Sequence, residues 1–424
     1  MQFENSLLFA KQLDDKDSLK DFRSQFIIPA INQKEQIYFL GNSLGLQPRS
    51  TEAAIQYILQ QWAHYGVEGF FKGDDPWLKF HDHLIKTLST LVGSKVHEVV
   101  VMNQLSVNLH LMMVSFYRPQ GKRNKIICEA KAFPSDQYVF ETHLKSLGLN
   151  PSDAIIEVGP PPGMHTIRTE DILHTIDKHR DETALVLFSG INYYTGQFFE
   201  IPAITKAAHA AGAKAGFDLA HAAGNVSLQL HDWDVDFACW CSYKYLNSGP
   251  GAVGGVYIHE RHHKDPVIPR FAGWWGYDVA TRFKMAKGFR PDSGAGGWQL
   301  STPSFMLFAA HKSALEIFEE AGWSGIQKKR KLLDGYLWYK LQEVNNRVKE
   351  KIIEFITPQN PEERGCQVSM LMLRRGREIY DELTEAGVMV DWREPNVIRL
   401  APVPLYNTFE EIWRFTDILK NIIA

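Results

Sequence analysis

The chain has 424 residues, of which 45% are hydrophobic and 22% charged, and its formal net charge is -3. That length is long for one core and predicts two packed domains of ordinary globular composition. The small charge, with no long basic run, gives nucleic-acid binding no electrostatic support, and the apolar stretches are strand-sized, too short for a membrane helix.

The first residues carry acids early and lack an apolar core, so no signal peptide is expected and the expected location is the cytoplasm. Val99 to Met102 reads as a buried strand, followed by a helix from Ser106 with Leu109, Met112, Met113 and Phe116 on one face. Lys125 to Cys128 reads as a second strand, and Ala184 to Phe188, ending in Ser189-Gly190, as a third. Residues 201–211 suit a helix with Pro202 in its first turn and Gly212 as its breaker. Further strands are expected at 215–218, 237–241 and 251–258. This alternation predicts an α/β fold with a mainly parallel sheet, whose ligands gather at the carboxyl ends of the strands. Ser189, Asp218 and Lys244 all fall at or just past such ends.

After residue 310 the texture changes. Leu333, Leu337 and Leu341 stand at helical spacing in a Glu/Lys-rich stretch, and short strands at 367–372 and 397–400 precede a closing helix from Phe409. The expected division is an N-terminal segment, 1–45, packing on the small domain, a large domain, 46–310, and a small α+β domain, 311–424. The four cysteines, Cys128, Cys239, Cys241 and Cys366, form no disulfide framework and no paired C-x-x-C pattern, and are expected to be reduced and buried.

Asp218 and Lys244 lie 26 residues apart, one strand–helix–strand passage, so both are expected at the same sheet edge. Chemistry on pyridoxal phosphate needs an amine to form an imine with the cofactor aldehyde and a carboxylate to keep the pyridine nitrogen protonated. Lys244 suits the first task and Asp218 the second; either alone reads more readily as a surface lysine or a strand-end cap, and it is the pair that points to the cofactor. The glycine run Gly249, Gly251, Gly254 and Gly255 lets backbone crowd a ligand. Leu105-Ser106, between strand and helix, offers N–H groups and a hydroxyl to a phosphate, or simply a helix cap. Phe133, in Phe133-Pro134-Ser135-Asp136, reads locally as a core residue that could also stack on a ring. Arg399, on an apolar strand, wants either a substrate carboxylate or a structural salt bridge. His262-His263 sits in a charged loop and reads as solvated, and no metal set is expected, Asp218, His221, His231 and Asp232 lacking convincing ligand spacing.

Several stretches together resemble the kynureninases, a family of pyridoxal-phosphate enzymes, over nearly the whole chain. They are Tyr38 to Gly45 (YFLGNSLG), Val107 to Leu111 (VNLHL), Ala132 to Asp136 (AFPSD) and Tyr194 to Gln197 (YTGQ). Phe217 to Gly224 (FDLAHAAG), His231-Asp232-Trp233, Cys239 to Asn247 (CWCSYKYLN) and Gly273 to Gly276 (GWWG) continue the match. Glu363 to Gln367 (ERGCQ) and Ile398 to Asn407 (IRLAPVPLYN) complete it.

The resemblance implies the fold-type I transferase architecture with a seven-stranded-type sheet, and a homodimer with its active site near the interface. The implied activity is hydrolysis of L-kynurenine, or its 3-hydroxy form, to the anthranilate and L-alanine. It makes Lys244 the cofactor lysine, Asp218 the pyridinium partner and Tyr243 part of the cofactor shell, and Tyr243, expected close to both phosphate and lysine, is also our candidate to protonate the remaining enamine carbon. It adds Leu105, Ser106, Phe133, Pro134, Ser135, Asp136, Ser189, His221, Trp274 and Thr302 to the cofactor shell, the last two from the other subunit. Arg399 would anchor the substrate carboxylate, with Ser43 a substrate-side contact. Two departures bear on the substrate: Tyr277 stands where the family often has histidine, and residues 66–76 do not align where animal-type members carry a substrate-contacting histidine. The competing expectations are a cysteine desulfurase or selenocysteine lyase using Cys366, a non-catalytic pyridoxal-phosphate binder, and a metal-dependent hydrolase.

Overall fold

Seven short strands with apolar side chains on both faces make up the main sheet of the computed structural model, which describes residues 2–347 and 350–423. They are β1 Val99–Val101, β2 Lys125–Glu129, β3 Ile155–Val158, β4 Thr183–Ser189, β5 Lys214–Asp218, β6 Phe237–Trp240 and β7 Gly255–Ile258. Their order across the sheet is β1-β7-β6-β5-β4-β2-β3. The run β6-β5-β4-β2-β3 is parallel throughout, and β7 is antiparallel to both its neighbours. The mainly parallel α/β sheet expected from the alternation is therefore present.

Period-two packing explains why these runs are apolar throughout. Val186 and Phe188 of β4, with Ala215 and Phe217 of β5, enter one hydrophobic cluster. Leu185 and Leu187, with Phe237 and Cys239 of β6, enter the cluster on the opposite face. Helices fill the connections. The helix Ile201–Ala210 carries Pro202 in its first turn and ends before Gly212, whose φ of +72° and N–H bond to the His209 carbonyl turn the chain. The helix Leu105–Phe116 starts one residue before the expected position.

Two boundaries differ from expectation by more than a residue. The strand expected at 251–258 spans only its second half, because Gly249 and Gly251 take φ of +90° and +70° in the preceding turn. The helical stretch after residue 310 is two helices, Phe305–Ala321 and Trp323–Asn345, broken at Gly322 with φ +73°.

A second sheet of four antiparallel strands follows: β8 Ile353–Phe355, β9 Val368–Met372, β10 Asp391–Arg393 and β11 Val397–Leu400, ordered β8-β9-β11-β10. Its core takes in Leu333, Leu337 and Leu341 and the closing helix Phe409–Ile423. Ala10 and Leu13 of the first helix, Leu7–Asp15, and Phe39 join this same cluster, and Ile37–Tyr38 pairs in parallel with Val388–Met389. Residues 66–76, left unassigned by the sequence, form a short turn anchored by buried Trp77, which stacks on Phe305 at 5.4 Å and donates to Gln61 Oε1 at 3.0 Å. No helix among the described residues is long and apolar enough to cross a membrane.

Candidate active site

The last residues of three adjacent parallel strands stand side by side: Asp218 of β5, Ser189 of β4 and Glu129 of β2. This is the position at which open α/β sheets collect ligands. Lys244 joins them from the turn after β6. A cavity of about 210 Å³ opens there, lined by Leu105, Ser106, Phe133, Ser135, Asp136, Ser189, Asp218, His221, Tyr243 and Lys244, together with Gln104, Ile191, Tyr193 and Ala220.

Lys244 Nζ donates to His221 Nε2 at 2.9 Å. An ammonium has only donors, so Nε2 accepts and Nδ1 carries the ring hydrogen. Burial, and then the charges of Lys244, Arg399 and Arg393, hold His221 well below the usual imidazole range. The Nδ1–H is buried with no partner among the described residues, as expected of a donor whose partner is a bound molecule. Asp218 accepts the Ala220 N–H at 2.7 Å. Burial raises its carboxyl, and the Ala220 N–H and the Lys244 charge counter that rise. Asp136 is pushed well above the carboxylate range by burial and then by the Asp218 charge, and so is the protonated partner that donates to Asp218.

Another part of the wall is the amino end of the helix Leu105–Phe116. Its cap residue, Gln104, makes no side-chain capping bond, so first-turn N–H groups remain free for an anion. Ser106 lies inside the helix rather than capping it. Gly254 permits this crowding, because a Cβ there would lie 2.9 Å from Asn108 Nδ2 and 2.8 Å from the Trp240 carbonyl. Likewise, a Cβ on Gly45 would meet the Lys244 carbonyl at 2.3 Å, which fixes the glycine of the Tyr38 to Gly45 motif against the lysine turn.

Phe133 is not a core residue: its ring is 39% exposed and packs edge-on against Tyr193 at 5.1 Å, with the Lys244 ammonium 5.9 Å from its centroid. Pro134 begins the helix Pro134–Ser146 between two lining residues. Trp274 (41% exposed) and Thr302 are both exposed and do not line this cavity. Arg399 and Ser43 lie off its walls as well. Arg399 is buried, donates to the Tyr193 carbonyl at 2.5 Å and pairs with Asp391, which also accepts the Ser43 hydroxyl at 3.3 Å. Of the two readings of Arg399, the salt bridge is the arrangement present, and its Nε is buried without a partner among the described residues. Burial lowers the guanidinium to about 10, which leaves it charged at neutral pH.

His262 is a correction: it is buried, with Nε2 2.7 Å from Asp236, rather than solvated. Glu98, His231 and His259 bring possible ligand atoms within 4.8 Å at the other end of the sheet, a grouping the sequence spacing did not suggest. Those atoms already have protein partners: Glu98 Oε1 takes His231 Nδ1 and the Glu260 N–H, and His259 Nδ1 takes the Arg261 N–H.

Glu129 was missed. Its signal was its place as the last residue of β2, the same rule that picked out Ser189 and Asp218, but the expected strand stopped at Cys128.

These residues fit pyridoxal phosphate. Lys244 would bind the aldehyde, Asp218 would face the pyridine nitrogen, the uncapped helix end with Ser106 would hold the phosphate, and the unpartnered His221 donor awaits an acceptor.

Comparison with known proteins agrees. The family described as the kynureninase C-terminal domain matches residues 326–419. The chain is 53% identical to a kynureninase of Flavobacterium johnsoniae over 99% of both chains. It is 44% identical to the human kynureninase, over 98% of this chain and 92% of that one. Among solved structures it superposes on a cysteine desulfurase of Thermococcus onnurineus with a TM-score of 0.76 at 19% identity, covering 95% of this chain and 98% of that one. A cysteine desulfurase of Escherichia coli gives 0.72 at 15% identity, covering 95% and 96%. At such identities these structures speak for the shared fold alone.

Proposed function

This chain belongs to the kynureninase family, and on that premise we propose that it cleaves L-kynurenine, or its 3-hydroxy form, between Cβ and Cγ with pyridoxal phosphate as cofactor. Water supplies the oxygen of the new anthranilate carboxyl, and the β-carbon takes a proton to become the methyl group of L-alanine. The observation that carries the reading is Lys244 and the Asp218–Asp136 pair lining one cavity together with a helix end that has no side-chain cap.

When bound, the cofactor supplies an aldehyde for amines and a protonated ring that accepts an electron pair. The chain's own residues do the rest. Asp218, whose charged form the Ala220 N–H, the Lys244 charge and the Asp136 donor favour against burial, would hold the proton on the pyridine nitrogen. Lys244, which would hold the cofactor aldehyde, would also be the group that moves the proton of the substrate α-carbon. Tyr243, whose phenol burial raises far above its ordinary range, stays protonated and delivers a proton to the β-carbon. Arg399 would take the substrate carboxylate by exchanging its bonds to Asp391 and the Tyr193 carbonyl for it, and Ser43, on the same Asp391, would contact the same end of the substrate. We further propose a homodimer in which Trp274 and Thr302, exposed on their own chain, complete the partner's site.

Purified protein with L-kynurenine and, separately, 3-hydroxy-L-kynurenine tests this, following anthranilate fluorescence. Turnover of either supports the reaction, and the ratio of kcat/KM values ranks the substrates. Turnover of neither, with pyridoxal phosphate bound, overturns it. The desulfurase alternative needs a reactive thiol, whereas all four cysteines are buried and burial pushes Cys366 up to about 12. For a metal-dependent hydrolase a chelator would abolish activity, and here no effect is expected.

A further inference from the structure

Glu129 is buried beside the cavity, 2% exposed, and no cation stands among the groups that act most strongly on its carboxyl. A carboxylate in that setting is costly, and an amide would hold a strand end at less expense of desolvation. Its neighbours deepen the cost, since Asp218 and Asp136 occupy the same buried wall. Among the described residues, the donors that other residues bring to its carboxylate all belong to Ser189. The Ser189 N–H reaches both carboxylate oxygens at 3.1 Å, and the Ser189 hydroxyl reaches Oε1 at 2.5 Å. Ser189 itself lines the cavity.

A serine hydroxyl has one hydrogen and two lone pairs. When Glu129 is ionised, as it is above about pH 7, the hydroxyl hydrogen is committed to it and only lone pairs remain for the cavity. We propose that Glu129 is a positioning residue of this site: by taking the hydroxyl hydrogen and the N–H of Ser189, it makes Ser189 a fixed acceptor for an O–H or N–H donor on the bound cofactor or substrate. The inference rests on the pyridoxal-phosphate reading above. A charge-assisted bond of this kind is shorter and stronger than one to an amide, which accounts for a carboxylate where glutamine would suffice to fill the space.

The test uses holoenzyme carrying Glu129→Gln, Glu129→Met or Ser189→Ala, and the double variant Glu129→Met/Ser189→Ala. Three quantities are read: the position of the visible absorbance band of the bound cofactor, its Kd, and kcat/KM for the better kynurenine substrate. Glu129→Met keeps the volume and loses the acceptor. It is expected to shift the band in the same direction as Ser189→Ala and to lower kcat/KM by about tenfold or more. The double variant should be no worse than Glu129→Met. Glu129→Gln, which retains an acceptor, should recover most of the loss. A Glu129→Met enzyme with the parent's band and Kd overturns the inference, as do losses that multiply in the double variant. Should Glu129→Met fail to fold, Ser189→Ala decides alone: an unmoved band and Kd there overturn it equally. The band and Kd do not depend on which amino acid is turned over. A parent that binds the cofactor but ignores kynurenine therefore sinks the functional reading and leaves this test standing, while a parent with no band sinks both.

Discussion

Lys244 and Glu129 mark two kinds of group at this site, one whose amine does covalent work and one whose burial fixes a neighbour. Lys244→Ala is expected to remove the visible band of lysine-bound cofactor and to cut kcat by at least about a thousandfold. Stopped-flow or steady-state assays at saturating cofactor measure this, and near-normal turnover would remove Lys244 from its role. Glu129 carries a pH signature of its own. Burial raises its carboxyl to about 7, against an ordinary 4.5, with the Ser189 bonds pulling the other way. A carboxyl whose folded pKa is raised binds its proton more tightly in the folded state. Its contribution is full below about 4.5 and is lost as pH rises through about 7. Relative to Glu129→Gln, which cannot titrate, the parent should therefore lose about 1.4 kcal/mol per pH unit across that window. Denaturant unfolding of both proteins at one saturating cofactor concentration measures the difference, and a flat difference from pH 4.5 to 7 would contradict it. At this scale the sequence revealed chemistry better than environment. Asp218 and Lys244 were legible from residue type and spacing, because an acid and an amine past neighbouring strand ends have few other uses. The exposure of Phe133, the burial of His262 and the Asp391 partner of Arg399 were not, since each depends on residues distant in the chain.

The helix Leu105–Phe116 shows how an element can be tuned against its own stability. Its first turn lacks a side-chain cap, which leaves positive potential and free N–H groups at the cavity wall. A carboxylate placed there would satisfy the helix and repel an anion. Ser106→Asp should thus raise fold stability slightly, by about 0.3–1 kcal/mol, while weakening pyridoxal-phosphate binding by about a hundredfold. Thermal unfolding without cofactor and a cofactor titration read the two effects, and equal or tighter cofactor binding would remove this helix end from the site. Strand interiors and long helices were readable from period and composition. Boundaries at glycines were less so: Gly251 and Gly322 act through a positive φ, and residue type alone does not tell a glycine that turns the chain from one, like Gly254, that admits a neighbour. The turn at 66–76 escaped for a related reason, since its anchor is a single ring, Trp77, seated on Phe305.

On the scale of the whole molecule, the unexplained surface is an aromatic one. Trp274, Phe283 and Phe71 are exposed yet touch one another, with ring centroids 5.9 and 5.7 Å apart, and Val67 and Met285 are exposed on the adjoining turns. Apolar groups gathered in this way need a cover, and a second copy is the cover our reading supplies, with sedimentation expected to give twice the chain mass of 48.4 kDa. Size alone would not show that Trp274 works across the interface, but complementation would. In a hybrid of one Lys244→Ala chain and one Trp274→Ala chain, a cross-subunit Trp274 leaves one site with both defects and the other with none. Two inactive parents should then yield activity on mixing, approaching a quarter of the parental value if chains exchange randomly and only hybrids contribute one native site each. If Trp274 instead serves its own chain, every site in the hybrid keeps one defect and mixing recovers nothing. The same pairing with Thr302→Ala separates its role from that of Trp274, because a residue that only buries surface would weaken the dimer on sedimentation without giving complementation.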